Sequence, residues 1–457
     1  MNAIVLSALW GVVMMYTGVL SGRPAVARAM ALIGIALLIV ASALDLMGMT
    51  LIQVPTTGML EFSTYGHLFV TVLLVCTALY LILSLDSIES SVGHLADHCA
   101  LIFFSLAGIC VTVAFKSLLM LFLGIEIMTI PMYILAASDK RNLKSNEAGL
   151  KYFLMGAFST GLMLMGITLL YGAYGTFVNE GMNLGMGFLS PLAVAGIVLL
   201  MVSMAFKVSA APFHFWTPDV YDGTPTVFTS FMASIVKAAA FYAFLRLFDS
   251  AFGKVQGQWQ TLVALLTAAT LLLGNVTAVF QQSVKRMLAY SSIAQAGFML
   301  MAVFALNITG KQGLLLYAAA YSLATIGIFA VLTRMKDFTY EGFNGLARHE
   351  PMVAGLLTVF LLSLTGIPLT AGFFAKYHMI LAVLRQDGKT WLAILAVLCA
   401  AVSVFYYFKV IQAMYFKEGP DPALRLSKPF LGALAVAALL IVMLGIHPDW
   451  LLNFMNL

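Results

Sequence analysis

The chain has 457 residues, of which 62% are hydrophobic and only 9% charged, with a mean hydropathy of +1.00. A soluble domain carries roughly 25% charged residues, so these values exclude a water-soluble enzyme and describe an integral membrane protein, which the apolar runs below make an all-α polytopic one. The net charge of +5 is too small and scattered for nucleic-acid binding. Cys76, Cys99, Cys110 and Cys399 form no CxxC pair, so they sketch neither an iron–sulfur nor a zinc site.

A helix needs about 20 apolar residues to cross the hydrocarbon. On that length the sequence predicts fourteen crossings, near 3–21, 28–48, 66–85, 96–115, 117–137, 148–173, 190–221, 225–248, 260–280, 288–306, 311–333, 352–384, 391–415 and 429–446. The run from Ala3 to Leu20 has no basic segment before it and reads as a first membrane helix rather than a cleaved signal. The crossings group as an N-terminal three-helix segment (1–95), a five-helix unit (96–250), a second five-helix unit (258–416) and a C-terminal helix (425–457). Basic loop residues sort to one side. Arg23, Arg28, Lys140, Arg141, Lys144, Lys285, Arg286, Arg334, Lys336, Arg348, Lys417, Arg425 and Lys428 fall in alternate connections, against Lys116, Arg246, Lys254, Lys311, Arg385 and Lys389 in the others. The excess marks the inner face, which places both termini outside.

Five lysines remain inside the apolar segments: Lys151, Lys207, Lys237, Lys376 and Lys409. A charge at the bilayer centre costs about 2.5–3.5 kcal/mol, so it needs a partner, water or a purpose. In chain order, the fifth segment carries Glu126 midway along, about 13–15 Å from either end at 1.5 Å per residue. Lys151 begins the sixth segment with Glu147 at i−4, the spacing of a surface ion pair. The seventh runs Phe206-Lys207-Val208-Ser209-Ala210-Ala211-Pro212-Phe213-His214 and should break near Pro212. Lys237 lies halfway along the eighth, too deep to snorkel. The twelfth holds Gly366-Ile367-Pro368 and then Lys376, and should break near Pro368. His378 faces another side of that helix and reads as structural, while Lys409 reads as a lysine snorkelling to the interface.

Broken helices at membrane depth survive only against protein or a wet cavity. The two lie five crossings apart, an odd number, so matching five-helix units would face opposite ways. That pattern points to the inverted repeat and ion site of a transporter.

The residues then become recognisable. Phe122-Leu123-Gly124-Ile125-Glu126-Ile127-Met128-Thr129-Ile130-Pro131-Met132-Tyr133 resembles the glutamate-bearing fifth helix of the antiporter-like subunits of respiratory complex I. Glu147-Ala148-Gly149-Leu150-Lys151-Tyr152-Phe153 is similar to their sixth helix, most of all in the subunit N branch. Lys207 to Gly223, Thr224 to Lys237, Lys285 to Ile293 and Gly372-Phe373-Phe374-Ala375-Lys376 extend the resemblance over roughly residues 110–385. Another branch carries a long lateral C-terminal helix, for which little chain follows the fourteenth crossing.

The resemblance implies a proton-translocating subunit of the membrane arm with no redox centre of its own. NADH, flavin, iron–sulfur clusters and quinone are expected in other subunits, and no dinucleotide, phosphate or haem motif appears in this chain. Glu126 would pair with Lys207, and separating the pair would release a proton. The proton would pass through Lys237, with His214 as a possible shuttle, to Lys376, with Lys151 as a further candidate. Expected partners are the other membrane subunits of the complex, including neighbouring antiporter-like subunits, and lipid; the expected location is the bacterial inner membrane. The alternative is a subunit of a multi-subunit cation/proton antiporter or of a membrane-bound hydrogenase.

Overall fold

The computed structural model describes residues 2–49, 58–182, 189–386, 388–420, 424 and 426–456; Arg425, counted above with the inner loops, lies outside them. The described residues are helical throughout, with isolated β-bridges and no strand. In chain order the helices are α1 (Asn2–Ser21), α2 (Pro24–Leu46), α3 (Thr64–Val92), α4 (Leu95–Ala114), α5 (Leu118–Ala136), α6 (Leu143–Tyr174), α7 (Pro191–Lys207), α8 (Trp216–Gly223), α9 (Thr226–Phe231), α10 (Lys237–Ser250), α11 (Gln256–Val279), α12 (Val284–Ala305), α13 (Ile308–Leu332), α14 (Leu346–His349), α15 (Pro351–Thr365), α16 (Ala371–Leu384), α17 (Thr390–Phe416), α18 (Lys428–Ile446) and α19 (Asp449–Leu452).

Among the described residues, twelve continuous stretches are long and apolar enough to cross a membrane. The interrupted pairs α7–α8 and α15–α16 supply the other two crossings of the fourteen expected. The most apolar window of α13 is buried completely, whereas that of α1 is 22% buried. α13 is therefore the axis of the bundle, and α1 is a rim helix whose outer face meets lipid or another chain.

The halves repeat in detail. Leu118 N–H at the start of α5 donates to Phe177 O after α6, and Val284 N–H at the start of α12 donates to Phe338 O after α13. Ser117 bridges Val178 in the first half, and Ser283 bridges Thr339 in the second. Close crossings recur too. A Cβ on Gly108 of α4 would lie 2.3 Å from Met128 N of α5, and one on Gly274 of α11 would lie 2.5 Å from Ala294 N of α12. Only glycine lets these helix backbones approach so closely. The same sequence spacing separates Gly108 from Gly274, Met128 from Ala294, and Ser117 from Ser283. Carried one step further, it sets Ser292 where the first half has Glu126.

The two ends of the bundle collect the loops that parity predicted. At one end Lys116 pairs with Glu61 (2.5 Å) and Glu180 (3.4 Å), Lys311 with Asp249 (2.7 Å), and Arg246 donates to the carbonyls of Val113 and Glu61. The Lys116 ammonium, by hydrogen bond first and charge second, holds the Glu61 carboxyl below its ordinary value of 4.5. At the other end Arg28 pairs with Glu89 and Asp86, and Arg334 with Asp86.

Both broken helices end in defined geometry. α7 stops at Lys207 itself, five residues before Pro212, so the proline sits inside the connection rather than at the break. Ser209 (φ +63°) turns the chain, and Ser209 N–H and the indole of Trp216 both donate to Phe206 O. Ala211 N–H is taken by Thr270 Oγ1 at 2.9 Å. In the second half Gly366 (φ +87°) and Leu369 (φ +73°) make the corresponding turn. Freed backbone groups are thus satisfied inside protein, which is what membrane depth requires.

Candidate functional site

Glu126 stands on α5, in the turn before Pro131, and faces α6 and the end of α7. Its Oε1 accepts from Thr160 Oγ1 at 2.7 Å and lies 3.9 Å from Lys207 Nζ. Lys207 Nζ in turn donates to Thr160 Oγ1 (3.3 Å) and Tyr133 Oη (3.4 Å). The direct ion pair is thus long, and Thr160 closes it: the hydroxyl accepts from the ammonium and donates to the carboxylate. The side chain of Lys207 is 5% exposed and that of Glu126 21%. The carboxylate's open side lies along a stripe of exposed apolar residues, Leu123, Ile127, Ile130 and Ile134.

Lys237 opens α10 directly after a π-helical turn, Met232–Val236. Such turns are rare and concentrate at functional sites. The residue is 2% exposed, and its ammonium donates to Ser292 Oγ (2.9 Å) and Ser292 O (3.2 Å), with the Tyr221 ring 5.6 Å away. Among the described residues no carboxylate pairs with it. The partner falls at the position equivalent to Glu126, so the two halves present one place with two chemistries: a carboxylate for Lys207 and a hydroxyl with a carbonyl for Lys237. The Tyr321 hydroxyl lies beside Ser292.

Lys376, on α16, is 6% exposed and reaches back across the second break to Leu364 O and Thr365 O, each at 2.8 Å. These carbonyls belong to the last turn of α15, the negative end of the helix dipole. The Phe298 ring lies 4.8 Å from the ammonium.

Three expectations need adjusting. Lys151 is not sealed in an apolar segment: it is 38% exposed and pairs with Glu147 (2.7 Å) and Asp219 (2.9 Å), and Arg286 joins Asp219 at 3.2 Å. With Lys144 and Asp222 these residues line an open cavity of about 240 Å³ at the end of the bundle. Helical periodicity placed Lys151 in the span but could not show that α8 and α12 bring an acid and a second base to it. Lys285, taken as a loop residue, is 4% exposed and caps α8 through Asp222 O (2.7 Å) and Thr224 O (2.8 Å). His214 sits in the first break and makes no hydrogen bond to Lys207 or Lys237. Its Nδ1 is buried without a protein partner.

His378 Nδ1–H donates to Phe374 O (2.8 Å), a bond within its own helix, and Lys409 lies over the Tyr340 ring at 4.1 Å. Thr160, Tyr133, Ser292 and Tyr321 were not singled out from the sequence. Hydroxyls on apolar helices are too common to stand out, although the repeat spacing from Glu126 would have pointed to Ser292. Among the described residues no cluster of metal-ligating side chains occurs.

Residues 116–403 match the family described as NADH:quinone oxidoreductase/Mrp antiporter, transmembrane. The chain is 43% identical over 404 residues to NADH-quinone oxidoreductase subunit N of Cytophaga hutchinsonii, covering 87% of each chain. It resembles a chain of respiratory complex I from Thermus thermophilus with a TM-score of 0.85 and 31% identity, covering 99% of this chain and 98% of that one. A chain of the Mrp complex from Dietzia sp. shares the fold, with a TM-score of 0.87 at 17% identity over 99% of this chain and 95% of that one.

Proposed function

Because the chain belongs to the NADH:quinone oxidoreductase/Mrp antiporter family and is a relative of subunit N, we propose that it moves protons through the membrane arm of an NADH–quinone oxidoreductase. It works as one component of a multi-subunit membrane complex. The observation that carries the reading is the file of three buried ammonium groups along one bundle, each held by a different kind of partner: a carboxylate with Thr160, a serine, and two helix-end carbonyls.

The chemistry follows from those partners. The Glu126 carboxylate stabilises the charged form of Lys207, so drawing Glu126 away favours release of a proton from Lys207. Lys237 and Lys376 have neutral partners only, and such a buried charge is cheap to discharge and costly to keep. A proton leaving Lys207 is therefore passed on toward Lys376 and then to the outer side. Reversal is opposed when Lys207 pairs again with Glu126. Redox chemistry takes place in other subunits, which hold NADH, flavin, iron–sulfur clusters and quinone.

The exposed apolar stripe beside Glu126 suits contact with a neighbouring membrane subunit, whose charges could pull on the carboxylate. The basic bias of the loops supports an inner-membrane orientation with both termini outside. The charged cavity at Lys151 and Asp219 suits an entry mouth on the inner side. The family match spans both kinds of protein and the likeness to the Mrp chain at 17% identity speaks to fold alone, whereas relatives at 36–43% identity are named NADH-quinone oxidoreductase subunit N.

The test is Glu126→Gln alongside Lys207→Ala in membranes holding the assembled complex. Both variants should lower quinone-linked proton pumping and electron transfer together. Normal pumping in either assembled variant would remove the ion pair from the path.

A further inference from the structure

Gln295 is a buried amide that the proton path as described does not use. It lies one turn beyond Ser292 on the same face of α12 and is 2% exposed. Its Nε2 donates to Leu364 O (3.0 Å) and to Tyr407 Oη (3.0 Å), and its Oε1 accepts a short hydrogen bond from Tyr317 Oη. Tyr407 is fixed in turn by Ser291 Oγ at 2.5 Å. One side chain therefore ties α12 to α13, to the broken end of α15 and to α17. Leu364 O is also the carbonyl that takes the Lys376 ammonium. Lys237 is bonded to Ser292, and Lys376 shares an acceptor with Gln295, so the amide stands between the anchors of the two lysines.

An amide is a poor proton carrier, because it has fixed donors and a fixed acceptor and does not titrate near neutrality. Both donors and the acceptor of Gln295 are already engaged. Beside it lies a cavity of about 10 Å³, lined by Gln295, Tyr317, Tyr321, Ser363 and Lys376 among others. That is the space of a single water molecule. Tyr321 touches both this cavity and Ser292.

We propose that Gln295 is the positioning residue that keeps the gap between Lys237 and Lys376 at one-water width, so that no continuous file of water joins the two lysines. This rests on the proton-path reading above. In the forward step an N–H bond of Lys237 breaks and one forms on Lys376. Each hydroxyl or water between them takes up one proton and gives up another. Gln295 gains and loses none. Its bracket stops the cavity from widening into a continuous file of water, which would conduct in both directions.

The test uses the assembled complex in sealed membrane vesicles, with Gln295→Ala, Gln295→Glu, Tyr317→Phe and Lys237→Ala measured side by side. Gln295→Ala opens the gap: the proton-to-electron ratio should fall, uncoupler should no longer stimulate electron transfer, and an imposed proton gradient should decay faster than with the unmodified chain. Gln295→Glu places a carboxylate beside Lys376 and should instead slow electron transfer and pumping together, without leak. Tyr317→Phe keeps the volume but frees the Gln295 carbonyl, so it should leak in the manner of Gln295→Ala and decides the matter if the alanine variant does not assemble. A merely structural role would lower assembly or thermal stability in all three and leave ratio and leak unchanged. An unchanged ratio and leak in Gln295→Ala, or in Tyr317→Phe should alanine fail to assemble, overturns the proposal. Persistent pumping in Lys237→Ala would instead overturn the reading beneath it.

Discussion

Thr160→Val probes how the Glu126–Lys207 pair is held. The substitution keeps the side-chain shape and removes one hydroxyl, which now donates to Glu126 at 2.7 Å and accepts from Lys207 at 3.3 Å. The charges alone, 3.9 Å apart, attract by about 4 kcal/mol at an effective dielectric of ~20. A hydrogen bond to a charged group adds about 1.5–3 kcal/mol, so the hydroxyl supplies a share comparable to the direct attraction. Losing it weakens the paired state on the order of tenfold to a hundredfold, since 1.4 kcal/mol is a factor of ten. Valine also leaves the carboxylate with one donor fewer in an apolar site, which acts in the same direction. The assay is NADH-driven quinone reduction with vesicle acidification followed by a pH-sensitive dye, after a native gel confirms assembly. Expected are a large fall in coupled turnover for Thr160→Val and near-normal turnover for Thr160→Ser, which restores the hydroxyl. Equal activity of Val, Ser and unmodified chains would refute the bridging role of Thr160.

Three other perturbations bear on the same frame. Gly366→Ala puts a Cβ 2.9 Å from Lys376 Cδ at φ +87°, a left-handed position that costs an L-residue about 1–2 kcal/mol; lower thermal stability of the assembled complex is expected, with slower turnover, and an unshifted melting curve would contradict it. Ser292→Ala leaves Lys237 with only the 3.2 Å bond to the Ser292 carbonyl; coupled turnover should fall, though less than in Lys237→Ala, and an equal or larger fall would mean Ser292 does more than hold the lysine. Glu61 lies outside the spans with its carboxyl held low by Lys116, so this pair stabilises the loop end above about pH 4.5 and loses that contribution as the pH drops through the lowered value. Glu61→Gln should therefore flatten the acid limb of thermal stability against pH, and an unaltered limb would show that the pair contributes nothing.

Much of the fold was legible because bilayer length and proline impose strong constraints. The fourteen crossings, both interruptions and the parity of the ends follow from apolar run lengths, Pro212, Pro368 and loop charges. Depth also picked out Glu126, Lys207, Lys237 and Lys376, whose side chains the structure holds largely inside the bundle. Environment was harder to read. Lys151, more than two turns into α6, is partly in water among acids, while Lys285 at the start of α12 is sealed beneath α8, a difference set by α8 and α12 packing rather than by local pattern. His214 stood out because an imidazole ordinarily titrates near neutrality, but sequence could not show that no hydrogen bond joins it to Lys207 or Lys237. Gln295 and Tyr317 carry no sequence signal, since neither is charged and their bonding depends on four helices meeting.

The central claim is that a proton passes through the buried axis of this chain. It is tested most directly by Lys237→Ala in the assembled complex, measuring quinone-linked proton pumping and electron transfer in the same vesicles. The account predicts that both fall together while assembly on a native gel is unchanged. Pumping and electron transfer at unmodified rates would contradict it.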